Sequence, residues 1–258
     1  MRIAPVLLLL AAAGCARGPR IDHVIPSRSQ DSRVRYLILH FTNQDWDSSI
    51  KILTEGRVSS HYLVREHPVE IARLVGEDRR AFHAGVSSWN GETALNAASI
   101  GIEIVNRGDD PGPDGSLYPE YPKEQVDAVI KLVKWIVQRH DIRGDHILGH
   151  SDIAPLRKVD PGPRFPWKRL ADEGLIPWPE AAAVAAQRRR YEAELPQVGW
   201  FQARLAQHGF AIAQTGVLDD STRRILAAFQ MKYRPANYDG HPDAETAALL
   251  DVLTAKGK

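Results

Sequence analysis

An α/β fold is predicted by two apolar β-branched runs, a shorter third one, and a long amphipathic helix pattern between the second and the third. Residues 34–39 and 100–105 read as buried strands, and Ile147-Leu148 as a short one. Val126, Val129, Ile130, Val133 and Val137 recur at i, i+3, i+4, i+7 and i+11, which is the stripe of a core-facing helix over residues 122–140. After Trp178 the patterns are helical, so a small all-α region is expected at the C-terminal end.

Each element has local support. Pro122 suits the first turn of the long helix, because its missing N–H would have no partner there, and Gly144 lies shortly beyond the end. That helix feeds the strand at residues 146–148. Residues 49–55 form a shorter helix candidate with Gly56 as its stop, and residues 106–121, rich in Gly, Pro and Asp, read as a loop flanking a cleft. Pro177 and Pro179 frame a break before an Ala- and Arg-rich helix candidate at 180–195, whose Arg188, Arg189 and Arg190 read as a solvated face. The expected divisions are residues 1–15, 16–30, 31–176, 177–195 and 196–258.

Composition narrows the function classes. A chain of 258 residues holds one large domain and a small one, and 33 basic against 32 acidic side chains leave no net field to attract nucleic acid or anionic membranes. Cys15 is the only cysteine, which excludes an intrachain disulfide. No internal stretch approaches the roughly 18 apolar residues of a spanning helix.

The amino terminus reads as a secretory signal: Met1-Arg2 is positive, residues 3–13 are apolar, and Gly14-Cys15 ends the segment. Ala12-Ala13-Gly14-Cys15 resembles a bacterial lipobox, which makes Cys15 a lipidation site, although Ala12 stands where leucine is usual. The alternative is ordinary cleavage near residues 11–13, leaving a free thiol. Ala16 follows, where aspartate would resemble an inner-membrane retention signal, so the resemblance points to the periplasmic face of the outer membrane. Residues 17–32 read as the tether.

Chemistry concentrates in residues 149–167. Here His150, Lys158 and Asp160 lie on a segment that Pro155, Pro161 and Pro163 stiffen. His40 follows the strand at 34–39 and is the natural partner. Two imidazoles and a carboxylate leave a fourth position for water, which is the ligand logic of a catalytic zinc site. Taken singly, each histidine reads better as a hydrogen-bonded polar group at a strand end. The same ligand types also suit a non-haem iron facial triad.

Six ordered blocks carry a family resemblance. Leu37-Ile38-Leu39-His40-Phe41-Thr42, Ser59-Ser60-His61-Tyr62-Leu63-Val64, Ala81-Phe82-His83-Ala84-Gly85 and Ser99-Ile100-Gly101-Ile102-Glu103-Ile104 come first. Leu148-Gly149-His150-Ser151-Asp152-Ile153-Ala154-Pro155 and Lys158-Val159-Asp160-Pro161-Gly162 complete the set. Over roughly residues 31–176 the chain resembles the zinc-dependent N-acetylmuramoyl-L-alanine amidases of type two. The resemblance implies a central mixed sheet flanked by helices, with zinc at the sheet's mouth. It implies His40, His150 and Asp160 as ligands, Glu103 as general base and acid, and Lys158 as the donor to the oxyanion. Read without it, Glu103 is a surface carboxylate on a solvent-facing pleat, Lys158 an exposed lysine, and Asp160 the start of a turn.

The resemblance also implies a substrate cleft lined by Tyr62, His83 and Trp89, with Asn96 bonding the muropeptide. Arg164 is a candidate for a peptide carboxylate. The plain alternatives are that Trp89 covers the core's edge and Arg164 forms a surface pair. His61 and His67 are not expected to be ligands. Residues 196–254 resemble a three-helix peptidoglycan-binding domain, with Thr215-Gly216 where Asp-Gly is usual; the rival is a helical cap on the catalytic domain. The implied function is hydrolysis of the amide between N-acetylmuramic acid and L-alanine by a monomer that meets the membrane only through its lipid. The alternative is a peptidoglycan-recognition protein without catalysis.

Overall fold

The computed structural model describes residues 23–112 and 116–255. Side-chain alternation along the strands organises it. Among the described residues the order is β1 (Tyr36–Phe41), α1 (Trp46–Glu55), β2 (Tyr62–Val64), β3 (Ile71–Arg73), α2 (Leu95–Ala98) and β4 (Ser99–Ile104). There follow α3 (Lys123–His140), β5 (Ile147–Gly149), α4 (His150–Ile153) and α5 (Trp167–Asp172). Four further helices close the chain: α6 (Ala181–Ala193), α7 (Val198–His208), α8 (Asp220–Tyr233) and α9 (Ala244–Ala255).

The sheet runs β3-β2-β4-β1-β5. Its pairs are parallel except for the β2–β3 hairpin, so the sheet is mixed, as the resemblance implied. Leu37, Leu39, Ile100, Ile102, Ile104, Tyr62 and Val64 share one core with Val126, Val129, Ile130, Val133 and Ile136 of α3. On the other face, Leu63 packs with Leu53 of α1. Ile38 and Leu148 there join a core that continues into the C-terminal helices through Phe201, Leu205 and Phe229. Among the described residues, no helix is long and apolar enough to cross a membrane.

Several elements differ from expectation, each for a local reason. The first helix starts at Trp46, three residues early, because the Asp45 side chain accepts the Ser48 N–H at 2.8 Å and caps it. The long helix keeps its expected bounds, with Pro122 before it and Gly144 shortly beyond, and Asp141 closes it in the left-handed region at φ 54°, which short Asx side chains tolerate. Within that helix Leu132 and Ile136 are buried and Val137 only partly, so the core stripe is wider than its valines indicate. Residues 150–153 form a helical turn rather than irregular chain. The helix at 181–193 lies along α9 and buries Tyr191, while Arg188 pairs with Glu192 on its surface.

Candidate active site

Four of the five strands run parallel, and the polar groups gather where those strands end, the usual crevice of an open α/β sheet. His40, fifth of six residues in β1, pairs in register with Glu103, fifth of six in β4. Strand β5 passes straight into α4, whose first residue is His150. The Ser151 N–H donates to the Asp160 carbonyl at 2.9 Å and draws the two halves of the 150–160 segment together.

Three ligand atoms converge there. His40 Nδ1 lies 2.8 Å from Asp160 Oδ2 and 3.0 Å from His150 Nδ1, and His150 Nδ1 lies 3.0 Å from the same carboxylate oxygen. All three residues are buried, and among the described residues they form the potential metal-binding cluster. They lie in a cleft of about 310 Å³ that Glu103, Lys158, Arg157 and His83 also line, with Ile52 and Val58 among its apolar residues.

The surrounding hydrogen bonds decide where the ring protons sit. Ser99 Oγ donates to the Leu95 carbonyl at 2.5 Å, so it accepts from His83 Nε2 at 3.2 Å. His83 Nδ1 is then an acceptor, and it meets His40 Nε2–H at 3.0 Å. That leaves His40 Nδ1 with a lone pair toward the cluster. His150 Nε2 lies 3.2 Å from the Ala84 carbonyl, which can only accept, so this ring too presents a bare Nδ1. The Arg157 guanidinium, 3.3 Å from His150 Nε2, already donates to the Ala84 and Val86 carbonyls. Two lone pairs and a carboxylate oxygen therefore face one another without a proton between them. Such a cluster repels itself unless a cation sits within it, and outer partners that fix the tautomer are the normal companions of metal-bound imidazoles.

Electrostatics agree with that assignment. Burial pushes His40 down to about 4, against the pull of Asp160, so the ring stays neutral. His83 is likewise held well below the usual histidine range, by burial first and by neighbouring imidazoles next. For Asp160 burial acts upward, but the two histidines outweigh it and hold the carboxyl below its ordinary value. Glu103 goes the other way: burial and the Asp160 charge raise it well above the usual range, and Lys158 opposes them. The two carboxyl groups are thus driven apart, one to a permanent anion and the other to a group able to exchange protons.

Residues 30–163 match the N-acetylmuramoyl-L-alanine amidase family, and residues 194–250 match a peptidoglycan binding domain. The chain belongs to the N-acetylmuramoyl-L-alanine amidase family. It is similar to the amidase AmiD of Escherichia coli (strain K12), with 37% identity over 98% of this chain and 96% of that protein. The solved complex of E. coli AmiD with the substrate anhydro-N-acetylmuramic acid-L-Ala-D-gamma-Glu-L-Lys superposes with a TM-score of 0.81 at 37% identity, covering 92% of this chain and 95% of that one. Pseudomonas aeruginosa AMPDH3, in complex with an anhydromuramic pentapeptide, gives 0.83 at 39% identity over 92% and 98% of the two chains. This amidase is therefore an enzyme with the α/β architecture of those structures, and its family is zinc-dependent in general.

The structure brings His40, His150, Asp160, Glu103, Lys158 and His83 of this amidase into one cleft. It places the other candidates elsewhere. Tyr62 alternates onto the opposite sheet face, where its hydroxyl donates to Glu77 at 2.6 Å. Trp89 is 2% exposed and packs edge-on against His208, the last residue of α7, and Phe210 just beyond it. Asn96 spends its Oδ1 on the His83 and Ala84 N–H groups, at 3.0 and 2.7 Å, so it shapes the loop beneath the cleft. Arg164 pairs with Glu120 at 2.7 Å on the surface. His61 accepts the Gly101 N–H at 3.0 Å. Cys15 lies outside the described residues.

Sequence reasoning missed Arg157, Ser99 and Gly101. Gly101 matters through close approach, since a Cβ there would stand 2.6 Å from the His83 ring. Its place inside an apolar strand run was the one available signal. Nothing in sequence marks Ser99, whose distant partner is the His83 ring, or Arg157, which donates to the Ala84 and Val86 carbonyls.

Proposed function

We propose that this amidase works as a zinc hydrolase on muropeptides. It cuts the amide between the lactyl group of N-acetylmuramic acid and L-alanine, with Glu103 and Lys158 as its catalytic side chains. The observation that carries the reading is the pair of bare Nδ1 atoms facing the Asp160 carboxylate, with both outer ring protons committed to His83 and Ala84. His40, His150 and Asp160 would hold the ion. Zinc, when bound, acidifies water into the neutral range and polarises a carbonyl oxygen.

The chain's own residues supply the rest. Glu103, raised by burial, takes a proton from the attacking water and returns it to the departing L-alanine amine. The Lys158 ammonium, in the same cleft, faces the negative charge that develops on the attacked carbonyl oxygen. His83 holds the His40 ring in the tautomer that leaves Nδ1 free. Asp109 of the 106–121 loop also lines the cleft.

The anhydromuramyl ligands of the E. coli and P. aeruginosa relatives favour released fragments as substrates of this chain as well. We further propose that the peptidoglycan binding domain holds the wall while the cleft acts. The enzyme is then a monomer at the periplasmic face of the outer membrane, anchored by lipid on Cys15.

The test is chelator-stripped protein with zinc restored, incubated with purified muropeptides and sacculi and followed by mass spectrometry. A free L-alanine amino terminus and intact muramic or anhydromuramic acid are expected; no cleavage at saturating zinc sinks the zinc mechanism. Cys15→Ser is expected to move the protein from the membrane pellet to the soluble fraction, and an unchanged distribution ends the anchor proposal.

A further inference from the structure

The C-terminal helices reach the segment that carries His150. Lys232, one residue before the end of α8, is 6% exposed, and Asp152, the third residue of α4, is 2% exposed. Lys232 Nζ donates to Asp152 Oδ2 at 2.7 Å across a separation of 80 residues. The ammonium also lies 4.3 Å from the centre of the Trp167 ring. The same Asp152 oxygen accepts the Gly149 N–H at 2.8 Å and so closes the turn that opens with His150.

A four-residue helical turn does not hold itself, because nucleation fixes several residues for one hydrogen bond. Its geometry has to come from outside, and here a buried charge from another part of the chain supplies it. A second clasp acts on the segment that follows His83 and Ala84. The Asn90 N–H donates to the Gly209 carbonyl at 2.9 Å, and Gly209, at φ +137°, lies so close to Trp89 that a Cβ would stand 2.5 Å from the indole. The Ser88 N–H then donates to the Ile153 carbonyl at 2.9 Å, joining that segment back to α4.

We infer that the C-terminal helices are part of the catalytic apparatus, with Lys232 a positioning residue that acts through Asp152 on the His150 turn. Simple tethering to the wall requires no buried charge between the two parts. A desolvated ion pair is a poor source of net stability, and its best-attested use is to select one register. The inference rests on the zinc-site reading above, since the turn matters through the ligand it presents.

The experiment uses the full-length chain and a small soluble muropeptide, so that attachment to the wall plays no part. For Lys232→Met we expect kcat to fall about 10- to 100-fold with KM within about twofold, and the zinc dissociation constant to rise by about tenfold or more, as for other outer partners of metal ligands. Zinc affinity is read by chelator competition on the apo-protein, independently of turnover. Lys232→Arg, which keeps the charge, should recover most of both. A merely structural role would lower the melting temperature and leave kcat and zinc affinity unchanged in the folded protein. Should Lys232→Met not fold, the Asp152→Asn/Lys232→Met pair, which leaves no buried charge, is measured in its place and should show losses of the same sign. Wild-type kcat and zinc affinity in either folded variant overturns the inference, as does an arginine variant no better than the methionine one. A wild-type chain that binds no zinc would instead overturn the site reading.

Discussion

The two faces of one sheet show how the fold separates stability from chemistry. On the α3 face, Leu37, Leu39, Ile100, Ile102 and Ile104 are wholly apolar and completely buried. One residue out of step, the other face carries Ile38 and His40 on β1, and Gly101 and Glu103 on β4. On β1 that second face passes from Ile38 to His40, and on β4 it carries Ser99, Gly101 and Glu103. The same two strands thus anchor the core on one side and present two polar groups to the cleft on the other. Because alternation has a period of two, a slip of one residue would exchange the faces and bury the wrong set.

Substitutions on the two faces should therefore separate cleanly. The largest expected effect is Asp160→Ala: metal content by elemental analysis should fall to background and turnover with it, while the circular dichroism spectrum stays native. A variant that keeps stoichiometric zinc would remove Asp160 from the ligand set. Glu103→Ala comes next, expected to retain zinc yet lose about 100- to 10,000-fold in kcat; near-native turnover would take Glu103 out of the mechanism. Ile102→Ala, one residue away but on the buried face, should behave in the opposite way. A loss of about 2–5 kcal/mol in denaturant unfolding is expected, with kcat unchanged below the transition. If instead it impaired kcat without loss of stability, the division between the faces would fail.

The smallest effect concerns Glu77, which joins the end of α3 to Tyr62 on the stability face. Burial pushes its carboxyl up, but hydrogen bonds from Tyr62, His140 and Arg139 outweigh that and leave it below the ordinary value. A depressed folded carboxyl contributes stability above its unfolded value and loses it as pH falls through the folded one. Removing it with Glu77→Gln should flatten the acid limb of the stability–pH curve by about 1 kcal/mol or less, since Arg139 is partly solvent-screened. An acid limb identical to wild type would show that Glu77 does not titrate on unfolding.

How much was legible follows from how local each signal is. The α3 stripe repeats over several turns, and the β1 and β4 runs, at six residues each, are long enough to stand out as strands. Strands β2 and β3 have three residues each, too few for a period to show, and only their pairing defines them. His40, His150 and Asp160 were readable because each ends or interrupts an apolar or proline-stiffened run. Tyr62 was misplaced because its block indicates proximity to the cleft but not which pleat the ring occupies. Trp89 and Asn96 were misplaced for a related reason: the ring meets Phe210 and the amide meets two backbone N–H groups, partners that composition does not reveal.

Residue order alone was enough for the α/β class, the long helix and the helical character of the last quarter, and it singled out His40, His150 and Asp160 as residues to watch. Those depend on short-range periodicity and on side-chain types. Folding was needed to bring His40, His150 and Asp160 to within about 3 Å, to send each ring proton outward and to drive Glu103 and Asp160 apart in acidity. It was also needed to seat Lys232 on Asp152. These are contacts between segments tens of residues apart, and burial sets their strength, so no local pattern encodes them.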